Sequence, residues 1–134
     1  MNNNITQLIE AARDVCGDFS LAEDFSAGGV GAAIRTVSGK VYTGICIDLA
    51  CGLGFCAEVA AIAEMLKNRE THITQIVAVS DSCILPPCGR CRETMVQIDP
   101  RNLDAEIILD ATRTVSLRQL LPEHWLMKDH PLGE

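Results

Sequence analysis

The sequence predicts an α/β fold, a three-layer α/β/α sandwich around a mixed sheet. Strand and helix signals alternate in the order α-β-β-α-β-α-β, which suits helices on both faces of one sheet. A turn signal at Ser38-Gly39 joins the first two strands as an antiparallel hairpin. Strands alternating with helices continue the sheet, so it is mixed. The 134 residues fit one compact domain, 1–134.

Each element has a local reason. Ile5, Leu8, Ile9, Ala12 and Val15 recur at helical spacing, so a helix runs over 5–15 with Gly17 as its stop. Residues 30–36 and 40–47 read as the hairpin strands, and a glycine-bearing loop follows at 51–54. Residues 56–67 are rich in the strong helix formers Ala, Leu, Met and Glu, with Lys67 and Arg69 placed to favour the C-terminal end. The short apolar run 75–80 reads as a buried strand. Pro86-Pro87 interrupts regular structure. Cys91, Met95 and Ile98 then keep helical spacing up to Asp99-Pro100, 105–109 reads as a strand, and 117–121 as a short helix.

Composition narrows the function. Hydrophobic residues at 48 % and charged residues at 22 % describe a soluble globular chain, large enough to need no disulfide framework. Eleven Lys plus Arg against eighteen Asp plus Glu leave a net charge of −7. That argues against a nucleic acid polymer as partner, which needs a basic surface, but permits a small nucleoside. No apolar run reaches the roughly 18 residues of a membrane span, and the first residues lack a signal-peptide layout, so the expected location is cytoplasmic, with no membrane partner. Seven cysteines are an odd number, and reduced thiols are the default without export.

Two segments carry chemistry, Cys56-Ala57-Glu58 and Pro86-Pro87-Cys88-Gly89-Arg90-Cys91. The C-x-x-C spacing of Cys88 and Cys91 lets two thiolates meet one metal, and equally suits a redox pair or two buried core cysteines. If the helices bearing the two segments start at the same end of the sheet, Cys56 converges on the pair. A catalytic zinc needs three protein ligands and an open position, whereas a structural zinc closes with a fourth. Glu58, in the first helical turn, is placed to carry a proton rather than to bind metal.

These segments resemble the zinc-dependent nucleoside and nucleobase deaminases. Phe25-Ser26 before Val30-Gly31-Ala32-Ala33, then Gly39-Lys40, Tyr42-Thr43-Gly44 and Leu120-Leu121-Pro122, resemble the small cytidine deaminases in particular. Cys88-Gly89-Arg90-Cys91-Arg92, with Glu23-Asp24 and Trp125, is most similar to the blasticidin S deaminase type. The resemblance implies a cytidine deaminase-like fold and a Zn2+ cofactor on Cys56, Cys88 and Cys91. It further implies hydrolytic release of ammonia from a cytosine-type nucleoside with Glu58 as proton carrier, and pyrimidine salvage or blasticidin S detoxification as the setting. The Ala57 backbone would hold the amino group or ring edge. Assembly would be a homotetramer whose neighbours complete each pocket.

Three thiolates on one Zn2+ leave a net negative charge, which positive groups must offset. Many relatives place an arginine directly after the catalytic glutamate, where this chain has Val59. Arg90 is the natural replacement, donating to thiolate sulfur, and Arg92 is expected to matter less. Three family positions differ. Cys46 and Asp48 stand where an Asn-x-Glu holds the ribose, and Gly28 stands where a Phe stacks on the base. Those departures suggest room for bulkier cytosine derivatives, with Phe25 or Trp125 available to supply a ring.

Alternatives within the same fold are a modified or non-cytosine aminoheterocycle as substrate, a catalytically silent zinc-binding domain, and an editing enzyme on RNA or DNA. Cys46 or Cys51 could close the metal site as a fourth thiolate. Cys16 and Cys83 are expected in the core, and His72, His124 and His130 on the surface. Trp125 either covers a pocket, its own or a neighbour's, or anchors the C-terminal end.

Overall fold

In the computed structural model, which describes residues 3–126, the side-chain alternation of two adjacent strands sets the layers. On β2 (Ser26–Thr36) and β4 (Ile73–Val79), neighbouring residues point to opposite faces. Ala33, Val77 and Val79, with Ile108, pack against Ile5, Leu8 and Ala12 of helix α1 (Asn3–Val15). Ala32, Ile34, Ile76 and Ala78 face the other way. They meet Ala57, Ala61, Ile62 and Met65 of α2 (Ala57–Lys67) and Met95 and Val96 of α3 (Gly89–Ile98). Two apolar clusters on two faces of one sheet make the expected three-layer sandwich.

The sheet is mixed, as expected. Strand β3 (Val41–Asp48) runs antiparallel to β2, and β2 runs antiparallel to β4. Strand β6 (Glu106–Ile108) runs parallel to β4. Three very short strands complete the sheet: β1 (Phe19–Ser20) on β2, β5 (Ile84–Leu85) on β4, and β7 (Thr114–Ser116) on β6. Two or three residues show no alternation, so these escape sequence reading. Strand β2 also begins earlier than expected, at Ser26. Its first turn of sheet carries Gly28 and Gly29, poor strand formers, and its pairing with β3 shifts between Ala27 and Gly31.

Because β3 and β4 both oppose β2, they point the same way. Helix α2 connects β3 to β4, and α3 connects β4 to β6. Both are crossovers between parallel strands, so α2 and α3 start at one edge of the sheet, beyond the strand C-termini. The Ser38-Gly39 turn of the hairpin lies at the opposite edge. Helix α4 (Leu117–Leu120) follows β7, capped by reciprocal bonds between Ser116 and Gln119 and anchored by fully buried Leu117.

Close contact between α2 and β3 depends on one residue. A Cβ on Gly44 would lie 2.6 Å from the Ala60 Cβ and 2.7 Å from the Ala57 carbonyl oxygen. Only glycine lets the first turns of α2 settle on the strand. At the far side of the crossover, Asn102 is completely buried yet saturated. Its Oδ1 accepts from the Ile73 N–H at 2.7 Å, and its Nδ2 donates to the Thr71 and Met95 carbonyls at 3.0 and 2.9 Å. It therefore ties the end of α3 to the start of β4. Gly44→Ala overpacks the α2–β3 contact and is expected to destabilise the fold by about 1–3 kcal/mol, measured by urea unfolding.

Candidate active site

Cys56 is the N-cap of α2 and Cys88 the N-cap of α3. Cysteine is a poor cap, so both helices begin with a residue that propensity would not choose. Cys91 lies in the first turn of α3, fully buried. The convergence anticipated for helices starting at one edge is observed. The three Sγ atoms lie within 4.8 Å of one another, with Cys56 to Cys88 at 3.4 Å and Cys88 to Cys91 at 3.6 Å. A tetrahedral zinc with bonds of about 2.3 Å separates its sulfur ligands by roughly 3.8 Å. The donor set therefore fits the ion in number, softness and spacing.

Local structure explains how the two segments meet. After β3, residues 49–54 loop out and return, and Phe55 pairs back on Ile47 through two 3.0 Å backbone hydrogen bonds. The loop closes through left-handed backbone at Cys51 (φ 61) and Gly52 (φ 70). On the other side, β5 folds antiparallel onto β4 and carries Leu85 and Pro86 over the strand end. Buried Pro87 then leads into Cys88.

The thiols feel distinct fields. Burial pushes the Cys91 thiol far above its ordinary range, and the Glu58 carboxylate pushes it further. Cys56 is also raised, again first by burial. Cys88 alone is lowered. Burial opposes its thiolate, but the backbone N–H of Cys91, the neighbouring thiols and the Arg90 N–H outweigh it. The start of α3 thus favours an anion at the Cys88 sulfur. Glu58 is 5 % exposed. Burial raises its carboxyl above the usual carboxylate range, while its own backbone N–H and the Cys91 thiol pull it back. A carboxyl held up in this way is suited to taking up and giving back a proton.

Cys56 and Cys88 line a cavity of about 610 Å³, a size suited to a small ligand, while Cys91 is fully buried. Cys46, Asp48, Ala57, Glu58 and Arg90 all line it, so these five anticipated residues reach the same space. Cys46 accepts from the Val30 N–H at 3.3 Å, filling the gap left where β2 slips against β3, and reaches Asp48 Oδ2 at 3.9 Å. The Arg90 guanidinium does not donate to sulfur as anticipated. It reaches the Gly54 carbonyl at 3.4 Å, across the cavity mouth. Its backbone N–H, not its side chain, addresses Cys88.

Several further expectations change. The missing side chain of Gly28 does not open the cavity. Its backbone is left-handed (φ 87), and a Cβ there would meet the Gly17 carbonyl and, at 3.4 Å, the Phe19 ring. Gly29 and Val30 form that wall instead. Neither Phe25 nor Trp125 lines the cavity. Phe55 is its one ring among the described residues, missed because a Phe between glycine and a ligand cysteine reads as loop filler. Trp125 is 66 % exposed, and its backbone N–H donates to Glu93 of α3. Cys51 is exposed and outside the thiol cluster, and Cys46 does not join it either, so neither supplies a fourth sulfur. Cys83 is exposed rather than in the core, because it closes a tight turn with Ser80, and Cys16 is half-buried. His72 and His124 lie half-buried away from the cavity, and His130 lies outside the described residues.

Comparison with known proteins gives a consistent answer. Residues 3–105 match the cytidine and deoxycytidylate deaminase zinc-binding region. A cytidine deaminase of Mycobacterium tuberculosis is 29 % identical over 110 residues, covering 80 % of each chain. A blasticidin-S deaminase of Bacillus cereus is 36 % identical over 81 residues, covering 53 % of this chain and 58 % of that one. The crystal structure of cytidine deaminase from Mycobacterium tuberculosis superimposes with a TM-score of 0.76 at 26 % identity, over 91 % of this chain and 97 % of the other. A match spanning both cysteine segments, and a fold shared over nearly the whole chain, place this protein in the cytidine and deoxycytidylate deaminase zinc-binding family.

Proposed function

We propose that this protein is a zinc-dependent hydrolytic deaminase of a cytosine-type nucleoside or nucleoside analogue, releasing ammonia. The observation that carries this reading is the convergence of the Cys56, Cys88 and Cys91 sulfurs at a cavity that Cys56, Cys88 and buried Glu58 line. Those three cysteines would hold the ion, whose Lewis acidity makes a water nucleophilic at neutral pH. Glu58 then takes a proton from the attacking water. It delivers protons to the ring nitrogen and to the amino group, so that the C4–N bond breaks, ammonia leaves and a carbonyl remains.

The rest of the cavity orients the ring. The Ala57 backbone at the start of α2 is placed to hold the amino group or ring edge. Asp48 accepts from a hydroxyl of the sugar or its replacement, steadied by Cys46. Phe55 offers a ring face to the base. Arg90, the one cation lining the cavity among the described residues, adds positive charge beside the thiolates. The shortened Asp48 and the thiol of Cys46 favour substrates other than plain ribosides, so cytosine derivatives with an altered or replaced sugar are expected to react better, relative to cytidine, than with an ordinary cytidine deaminase. Assembly as a homotetramer belongs to this reading, and exposed Leu49 and Leu53 beside the cavity support a neighbour lying there. A cytoplasmic site of action is in keeping with seven free cysteines, and no described helix is long and apolar enough to cross a membrane.

The deciding experiment is ammonia release from a panel containing cytidine, deoxycytidine, blasticidin S and analogues with an altered or replaced sugar. Release from none of them would overturn the reading. Purified protein should carry one zinc per chain, and Cys88→Ala should lose it; full zinc in that variant by elemental analysis refutes the ligand set. Glu58→Gln should keep zinc and fold but slow turnover by roughly 10²–10⁴-fold, because the amide cannot carry a proton. Gly28→Phe should lower the melting temperature without improving kcat/KM for cytidine, since its side chain enters left-handed backbone against Gly17 rather than the cavity.

A further inference from the structure

Arg92 lies one turn into α3, half-buried, four residues after Cys88. Its backbone N–H donates to the Cys88 carbonyl at 3.0 Å. Its side chain turns back toward the helix start, where Nε donates to the Pro87 carbonyl at 2.7 Å. The Pro87 carbonyl belongs to the peptide plane entering Cys88, and the Cys88 carbonyl to the plane leaving it. One residue therefore grips both planes that define the Cys88 backbone, at φ −72 and ψ 172. The other arm of the guanidinium, through NH1, donates to the Leu120 carbonyl at 3.0 Å. Leu120 ends α4, which is itself fixed by buried Leu117, whose N–H donates to Ala105 at 3.0 Å.

The geometry points to Arg92 as the positioning residue of the metal site, holding Cys88 in its ligating conformation and linking that conformation to the C-terminal helix. The inference rests on Cys88 being a zinc ligand. It reverses the order expected from sequence, in which Arg90 outranked Arg92. Arg90 is exposed and makes one long bond to a loop carbonyl, whereas the Arg92 guanidinium makes two charge-assisted bonds, one to the Pro87 carbonyl just before Cys88 and one to the Leu120 carbonyl of α4. Lysine cannot replace it fully, because a single ammonium on a flexible stem does not hold two carbonyls in fixed directions.

The test compares wild type, Arg92→Ala, Arg92→Lys and Arg118→Ala as zinc-loaded proteins. Zinc transfer to a chromophoric chelator, the visible spectrum of the cobalt-substituted protein and the melting temperature are read together. Arg118 sits on α4 and loses only its exposed pairing with Asp104, so its variant controls for loosening of that helix. Arg92→Ala should transfer zinc roughly 10–100-fold faster than wild type, as losses around metal ligands do. Arg92→Lys should fall between them, with a shifted cobalt spectrum, and Arg118→Ala should match wild type. Transfer and spectrum unchanged in Arg92→Ala, or in Arg92→Lys if the alanine variant does not fold, would overturn the inference. Equal acceleration in Arg118→Ala would also overturn it, by assigning the effect to the helix rather than to the joint. A wild-type protein that takes up no stoichiometric zinc defeats the zinc reading itself, and this inference with it.

Discussion

The site depends on the contact between the first turns of α2 and strand β3. Both cysteine segments begin helices, and both helices leave the sheet from the ends of parallel strands. That arrangement sets direction but not distance. Distance comes from the backbone approach at Gly44, where α2 lies too close for any Cβ. A helix held further off would carry Cys56 away from Cys88, and the sulfurs would no longer share an ion. A single hydrogen atom in place of a methyl thus has a consequence several residues away.

Electrostatics explain why ligands occupy cap positions. A helix start carries unpaired N–H groups and a partial positive charge, commonly met by Ser, Thr, Asp or Asn. Here two helix starts face one another across three potential thiolates. Without oxygen caps, the backbone donors remain free to support sulfur anions, and the lowered Cys88 thiol reports that support. Cys91 lies deeper and is raised by burial. Its anion therefore needs a cation more than that of Cys88 does, so the site's charge balance and its metal are coupled.

Much of this was legible in the sequence, for physical reasons. Helix α1 declares itself because its periodic apolar residues bury one face, and β4 because a continuous apolar run is buried on both. The candidate ligand set was legible because the two cysteine segments together resemble a known zinc-binding pattern, while the C-x-x-C spacing alone, which matches one helical turn, left other uses open. What escaped was set by three-dimensional packing rather than local pattern. The strands β1, β5 and β7 are too short for periodicity, yet β5 delivers the second cysteine segment. Phe55 has no neighbour in sequence that marks it as a cavity wall. Gly28 looked like a vanished side chain but serves a left-handed turn against Gly17. Arg92 looked less important than Arg90 because the carbonyl of Leu120 is 28 residues away along the chain.

The hairpin turn at Ser38-Gly39 lies at the sheet edge remote from the thiol cluster. Gly39 is left-handed, with open space where a side chain would stand, and Val37 beside it is 64 % exposed. Loop tips of this kind accept insertions because no buried backbone bond is broken. The fold therefore offers a natural handle. A fluorophore, an affinity peptide or a tether to a solid support attached at the turn would leave the mouth of the cavity facing away from the attachment, which suits the protein to immobilised use.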